Sequence, residues 1–179
     1  MCGILLIFND LLNSDFSIKS KNEKAINQNC CERRHIMPVR KANAEWRGDL
    51  KSGSGNISTE SGALNNIVYN FVSRFESGNE TNPEELVGAA HAACYSMALA
   101  NGLSGAGYKV NSIKTEDKVH IVKLESGFTI TKIEINTVAD VEGVDDAAFQ
   151  QAAEDTKKGC PVSKALTGTE MVLTATLKK

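Results

Sequence analysis

The sequence predicts an α+β domain, and three features indicate it. Residues 42–46 and 67–75 alternate apolar and polar side chains, as half-buried strands do. A segment rich in small residues, from 83 to about 100, has the start and stop signals of a helix. Two longer alternating segments, 110–124 and 128–141, meet at a Glu-Ser-Gly turn and predict a hairpin. We therefore expect a curved antiparallel sheet with a central buried helix and a second helix.

The first three strands should form a meander, because a Gly-Ser-Gly turn leads from residues 42–46 into residues 56–61, and residues 67–75 follow. The central helix begins where Asn82 can cap it and Pro83 suits its first position. Its many alanines allow close packing, so we expect it to be buried.

The C-terminal part predicts a second helix over residues 145–158, which Gly159 ends. A short helical turn should then run from Cys160 to Leu166, and residues 169–177 read as the last strand. The complete order is βββ-α-ββ-α-β.

The composition favours one domain, or one domain with a tail, in a chain of 179 residues. We predict a disordered or poorly packed extension over residues 1–37 and a folded domain over residues 38–179, because the extension is polar and aperiodic. The net charge of -2 argues against a nucleic-acid partner. No apolar run is long enough for a membrane helix, so we expect no membrane partner and a cytoplasmic location.

The N-terminal extension contains two misleading patterns. Cys2 near the start is like the nucleophile of N-terminal amidotransferases, but no matching body follows it. Cys30, Cys31 and His35 could bind a metal, yet a fourth ligand is missing and adjacent cysteines suit zinc poorly. We predict neither a metal site nor a cofactor.

Two other cysteines are candidates for chemistry. Cys94 lies in the middle of the central helix, and Cys160 directly precedes Pro161. At that position the Cys160 sulfur can face free backbone N–H groups, which favour a thiolate. A nucleophilic cysteine needs such a donor or a cation, because an ordinary thiol is only about 3% ionised at neutral pH. From these residues alone, buried inert cysteines remain the alternative.

Several ordered motifs resemble the family of osmotically inducible protein C and organic hydroperoxide resistance proteins (OsmC/Ohr). They are the segments 58–62, 73–76, 81–94, 127–133 and 160–166, the last reading CPVSKAL. The resemblance spans residues 42–177 and favours the OsmC branch, because the Ohr branch usually has Pro-Tyr after its second cysteine.

The resemblance implies an intertwined homodimer and a thiol peroxidase of oxidative and osmotic stress defence, which reduces organic hydroperoxides. Cys94 would be the peroxidatic thiolate and Cys160 the residue that resolves it as a disulfide. An external dithiol, of the lipoyl type in the related Ohr branch, would reduce that disulfide. The alternative is a stress-associated binding domain of the same fold with little turnover.

The family's arginine and glutamate correspond to Arg74 and Glu84, with Arg47 as a competing arginine. Glu84 and Cys94 are ten residues apart, about 15 Å along a helix. We therefore predict that Glu84 serves the partner subunit's cysteine. His91, three residues before Cys94, is expected to be structural in the dimer core rather than to act on the thiol.

Overall fold

The first sheet is an antiparallel meander, as predicted. It contains β1 (Ala42–Arg47), β2 (Ser54–Thr59) and β3 (Ile67–Asn70) in that order. A computed structural model describes residues 37–178, and the residues from Lys41 onward form one compact unit. The predicted extension, with the amidotransferase and metal hypotheses on Cys2, Cys30, Cys31 and His35, lies outside the described residues except for Met37.

The third strand is shorter than its alternation predicts, because a short helix, α1 (Phe71–Phe75), replaces its second half. The Asn70 side chain accepts a hydrogen bond from the Ser73 backbone N–H at 2.8 Å. In return the Ser73 hydroxyl accepts one from the Asn70 N–H at 3.1 Å. This reciprocal capping box satisfies the backbone groups at the helix start and ends the strand.

The central helix is α2 (Pro83–Gly105), and Asn82 caps it by accepting the Glu85 N–H at 2.8 Å. In the single chain it is buried on one face and exposed on the other, so the prediction of a buried helix holds for one face. The buried face carries Glu84, Gly88, His91, Tyr95, Leu99 and Leu103. The opposite face exposes Ala89, Ala90, Ala93 and Met97.

The predicted long hairpin is present as β4 (Lys109–Leu124) and β5 (Gly127–Glu142). The helices α3 (Asp146–Gly159) and α4 (Pro161–Ala165) follow, and β6 (Glu170–Leu177) closes the chain.

The prediction of a single antiparallel sheet needs correction. The strands divide into two three-stranded sheets, and β6 pairs with β5 in parallel. The cause is the crossover through α3 and α4, which returns the chain to the sheet in its original direction. The curvature of the sheet stays a prediction.

The core lies between the second sheet and the helices α2 and α3. Every second residue of β5 from Ile133 to Val141 is buried against them. Tyr95 is fully enclosed there, and its hydroxyl donates to the Ala153 carbonyl at 3.1 Å. Within residues 37–178, no helix is long and apolar enough to cross a membrane.

Candidate active site

The fold brings the two candidate cysteines together. Cys94 lies in the middle of α2, and Cys160 lies between α3 and α4. Their Sγ atoms share a hydrogen bond at 3.1 Å. A disulfide has its sulfurs about 2.05 Å apart, so both cysteines are free thiols at near-bonding distance. Cys160 is fully enclosed and Cys94 is partly exposed.

The surroundings of the two sulfurs favour negative charge on Cys160. Burial acts to raise the pKa of Cys160, but polar groups around it lower this pKa below the ordinary value. They are the Ser163 backbone N–H, the Cys94 thiol, the Ser163 hydroxyl and the Val162 N–H. Cys160 is the N-cap residue of α4, but its side chain makes no capping hydrogen bond there. The expected backbone donors at this turn are thus present.

The same surroundings disfavour a thiolate at Cys94. Burial raises the pKa of Cys94, and its hydrogen bond to Cys160 raises it further, although the Val162 N–H partly compensates. None of the groups that shift this pKa, within the described part of the chain, is a cation. Ionised Cys94 therefore requires positive charge from elsewhere.

Arg74 and Glu84 form an ion pair. Arg74 Nη2 donates to Glu84 Oε1 at 2.9 Å, and its Nε donates to the same carboxylate at 3.2 Å. The Glu84 side chain is only 9% exposed, whereas that of Arg74 is 36% exposed. The two-point contact fixes the plane of the guanidinium and leaves part of it open.

Local hydrogen bonds set this pair in place by tying α1 to the start of α2. The Ser73 hydroxyl donates to the Thr81 carbonyl at 3.0 Å. The Asn82 side-chain amide donates to the Ser73 carbonyl at 3.2 Å. Because Arg74 directly follows Ser73 and Glu84 lies in the first turn of α2, these bonds fix both partners.

The ion pair and the cysteine pair are separate sites within one chain. Since α2 is continuous, the ten residues between Glu84 and Cys94 correspond to about 15 Å along its axis. The competing Arg47 is exposed on β1 and pairs with Glu45 at 3.0 Å. Arg74 is therefore the arginine that pairs with Glu84. That this pair acts on the cysteine of a partner subunit remains a prediction.

Sequence reasoning missed a buried network beside Cys160. His91 is fully enclosed, its Nδ1 hydrogen-bonds the Asp117 carboxylate, and its Nε2 is 2.8 Å from Ser163 Oγ. Two spacings could have indicated it. His91 lies one helical turn before Cys94, and Ser163 lies three residues after Cys160, at the third position of α4. Nothing in the sequence marks Asp117.

Two large side chains lie close to Cys94 in the sequence. Tyr95 is in the core, and Met97 is 74% exposed on the open face of α2. An aromatic cavity of about 270 Å³ lies against Arg74. Its lining is Trp46, Leu50, Tyr69, Asn70, Phe71, Arg74 and Phe75. In residues 37–178 no cluster of three or more His, Cys, Asp or Glu side chains could hold a metal ion.

Comparison with known proteins identifies the family. The family model described as OsmC-like protein matches residues 76–175. Peroxiredoxin OsmC of Escherichia coli strain K12 is 49% identical over 127 residues, which are 71% of this chain and 89% of that protein. Organic hydroperoxide resistance protein OhrB of Bacillus subtilis strain 168 is 30% identical over 117 residues, 64% of this chain and 83% of that one.

Solved structures agree with this assignment. The crystal structure of OhrB of Bacillus subtilis has a TM-score of 0.56 and 26% identity, covering 77% of this chain and 98% of that one. An organic hydroperoxide resistance protein from Elizabethkingia anophelis shares the fold, with a TM-score of 0.61 and 24% identity over 80% of this chain and 100% of that one. With a family match over more than half its length and the higher identity to the OsmC relative, the chain belongs to the OsmC family, on its OsmC branch.

Proposed function

We propose that the protein is a thiol-dependent peroxidase that reduces organic hydroperoxides to alcohols. The observation that carries this proposal is the 3.1 Å separation of Cys94 Sγ and Cys160 Sγ, which come from distant parts of the chain. A disulfide has its sulfurs about 2.05 Å apart, so these two free thiols need to approach by only about 1 Å to form one. The names of the two curated relatives, a peroxiredoxin and a hydroperoxide resistance protein, support the same chemistry.

The reaction begins at the exposed member of the pair. The Cys94 thiolate attacks a peroxide oxygen, so that an S–O bond forms and the O–O bond breaks. The alkoxide leaves and takes a proton to become the alcohol, and the sulfur becomes a sulfenic acid. Cys160 then attacks that sulfur, closing the S–S bond and releasing hydroxide, which becomes water. An external dithiol reduces the disulfide by exchange, and no cofactor is needed.

The proposal requires a cation beside Cys94, and we assign this role to Arg74 of a second copy of the chain. Among residues 37–178 of one chain, burial raises the pKa of Cys94 and no cation lowers it. The Arg74–Glu84 pair is preformed, and the guanidinium remains partly open. A guanidinium held in this way would stabilise the Cys94 thiolate and the oxygen that leaves it.

The open face of α2 supports a homodimer. It presents Ala89, Ala90, Ala93 and the 74% exposed Met97. Small side chains allow another backbone to approach closely, and an exposed methionine on a long helix is typical of a contact surface.

The aromatic cavity beside Arg74 would bind the alkyl part of the substrate. Apolar rings dominate its lining, with the Arg74 guanidinium lying 5.1 Å from the centroid of the Phe75 ring. An apolar pocket next to a cation suits a molecule with a hydrocarbon body and a polar, reactive end. Organic hydroperoxides have this character, whereas hydrogen peroxide would leave the cavity unused.

A single-turnover experiment tests the function. The reduced protein is treated with one equivalent of cumene hydroperoxide in the presence or absence of dimedone, and the cysteines are mapped by mass spectrometry. We expect a Cys94–Cys160 disulfide in the wild type and a dimedone adduct on Cys94 in the Cys160→Ser variant.

Cys94→Ser is the decisive control, because it should neither form the disulfide nor consume peroxide. If Cys94→Ser consumes peroxide as the wild type does, or if no oxidised Cys94 forms, the protein is better described as a binding domain with this fold. Turnover with dihydrolipoamide and with thioredoxin, measured side by side, identifies the class of reductant.

A further inference from the structure

A buried hydrogen-bonded network connects three elements and ends at Ser163, three residues after Cys160. Asp117 on β4 hydrogen-bonds His91 on α2, and His91 Nε2 is 2.8 Å from Ser163 Oγ on α4. The side chains of Asp117 and His91 are fully enclosed, and Ser163 is 4% exposed. Ser163 lies in the first turn of α4, which Cys160 directly precedes, and its backbone N–H and hydroxyl lower the pKa of the Cys160 thiol.

The single proton of the Ser163 hydroxyl couples the two ends of this network. When His91 is neutral, its Nδ1–H donates to Asp117 and its Nε2 accepts the Ser163 O–H, so the Ser163 hydroxyl has no proton left to donate to the Cys160 sulfur. When His91 is protonated, both ring N–H groups donate, and the Ser163 O–H is free to donate to a Cys160 thiolate. A proton passing from Cys160 through Ser163 to His91 converts the first pattern into the second.

Asp117 favours the second pattern. Its Oδ1 has no hydrogen-bond partner among the residues the structure describes. An enclosed carboxylate with one oxygen unsatisfied is costly unless a cation lies beside it. The group in contact with its other oxygen is the His91 ring, so protonated His91 would neutralise Asp117 while Ser163 stabilises the thiolate.

We propose that Asp117 and His91, acting through the Ser163 hydroxyl, are positioning residues that hold Cys160 as a thiolate for the resolving step. The proposal rests on the proposed function. In that step Cys160 S⁻ attacks the Cys94 sulfenic acid, an S–S bond forms and an S–O bond breaks. The released hydroxide becomes water with the proton that the dithiol reductant gives up when it ionises. His91 keeps the proton that Cys160 gave up. When the thiolate of the dithiol reductant attacks Cys94 Sγ, Cys160 leaves as a thiolate and takes that proton back.

Other ionisable groups face this network and belong in any account of its pH dependence. On α2 they are Cys94 and Tyr95, and Tyr95 stays neutral because burial raises its pKa. On α3 the ionisable group is Glu154, whose charge also raises the pKa of Tyr95. Glu154 pairs with Lys157 at 2.8 Å. On β4 it is Asp117 itself.

The first test measures the Cys160 thiolate directly, without peroxide. In a background in which Cys2, Cys30, Cys31 and Cys94 are all changed to Ser, Cys160 is the single remaining cysteine, and the ultraviolet absorbance of its thiolate is followed against pH. We expect His91→Gln, Asp117→Asn and Ser163→Ala each to move the Cys160 ionisation upward by about one pH unit. Ser163→Thr keeps the hydroxyl and should restore the original titration.

The second test measures the resolving step in chains that retain both cysteines. After rapid oxidation, the rate of disulfide formation is recorded against pH. The three variants should be at least about tenfold slower than the wild type near pH 6, and nearly equal to it above about pH 9, where Cys160 ionises unaided. Ser96→Ala is the matched control, because its hydroxyl also joins α2 to β4, through Thr115 Oγ1 at 2.8 Å, without belonging to this network.

The two tests distinguish failure of the proposed peroxidase function from failure of the proposed role of the network. If Cys94 forms no sulfenic acid in the wild type, the proposed function fails, and the titration still decides the role of the network. If Cys94 is oxidised but Ser163→Ala leaves both the titration and the pH profile of resolution unchanged, the network has no such role. The Ser163→Ala and Ser163→Thr pair decides the question even if the His91 or Asp117 variants do not fold.

Discussion

Asn82 illustrates how one side chain can serve both stability and the candidate site. Its oxygen caps α2, and its amide reaches the Ser73 carbonyl beside Arg74. Asn82→Ala should therefore lower the free energy of unfolding by about 1–2 kcal/mol, as the loss of a helix cap does. It should also reduce peroxide turnover, because the Arg74–Glu84 pair loses the contact that fixes α1. Urea unfolding and steady-state turnover measure the two effects.

Asp145→Ala is the matched control for this prediction. Asp145 caps α3 by accepting the Ala148 N–H at 2.8 Å, and it is exposed. Its loss should cost similar stability and leave turnover unchanged at a temperature where both variants are folded. Equal loss of turnover in the two variants would show that Asn82 affects activity only through stability.

At the scale of elements, the first sheet depends on a close approach at Gly55. A Cβ at this position would lie 2.4 Å from Tyr69 Cε1 and 2.5 Å from the Glu45 carbonyl oxygen. The ring can turn but the carbonyl cannot, so Gly55→Ala should destabilise the protein by about 2–3 kcal/mol, measured by urea unfolding. Gly102→Ala makes the same chemical change in α2, where nothing lies within 4 Å. It should be neutral or stabilising by up to about 1 kcal/mol, and a large loss there would contradict the steric explanation.

The elements also show where sequence reasoning succeeds and where it stops. Alternation predicted β4 and β5 almost to their ends, and every second residue of β5 from Ile133 to Val141 is buried in the core. It failed over Phe71–Phe75, because the Asn70–Ser73 capping box is a local hydrogen-bonding choice that hydrophobic periodicity does not record. It also could not predict the parallel pairing of β6, which depends on how α3 and α4 return the chain.

Some residues of the candidate site could be predicted from the sequence, and others could not. Cys94, Cys160, Arg74 and Glu84 were predicted from motifs, and the structure places them as two pairs. The network of Asp117, His91 and Ser163 could not be predicted, because it exists only where β4, α2 and α4 meet.

At the scale of the whole molecule, the Cys94–Cys160 pair and the Arg74–Glu84 pair each lack a group that the proposed reaction needs. In the part of one chain that the structure describes, no cation lowers the pKa of Cys94, and Arg74 pairs with Glu84. In a two-fold symmetric dimer, the arginine of each subunit could serve the cysteine of the other. Arg74→Ala should then lower turnover by about a hundredfold, as loss of an oxyanion-stabilising group does, while Cys94→Ser abolishes it.

Mixed dimers test whether Arg74 acts on Cys94 of its own chain or on Cys94 of the partner subunit. A heterodimer of Cys94→Ser and Arg74→Ala chains, isolated with two affinity tags, pairs the intact Cys94 of one subunit with the intact Arg74 of the other. It should recover about half the wild-type rate, because one of its two sites is complete. A heterodimer of Arg74→Ala and Glu84→Gln chains should recover nothing, because each of its sites lacks one member of the ion pair. If the first heterodimer is as inactive as its parents, Arg74 does not act across the interface, and the charge that ionises Cys94 must come from another group.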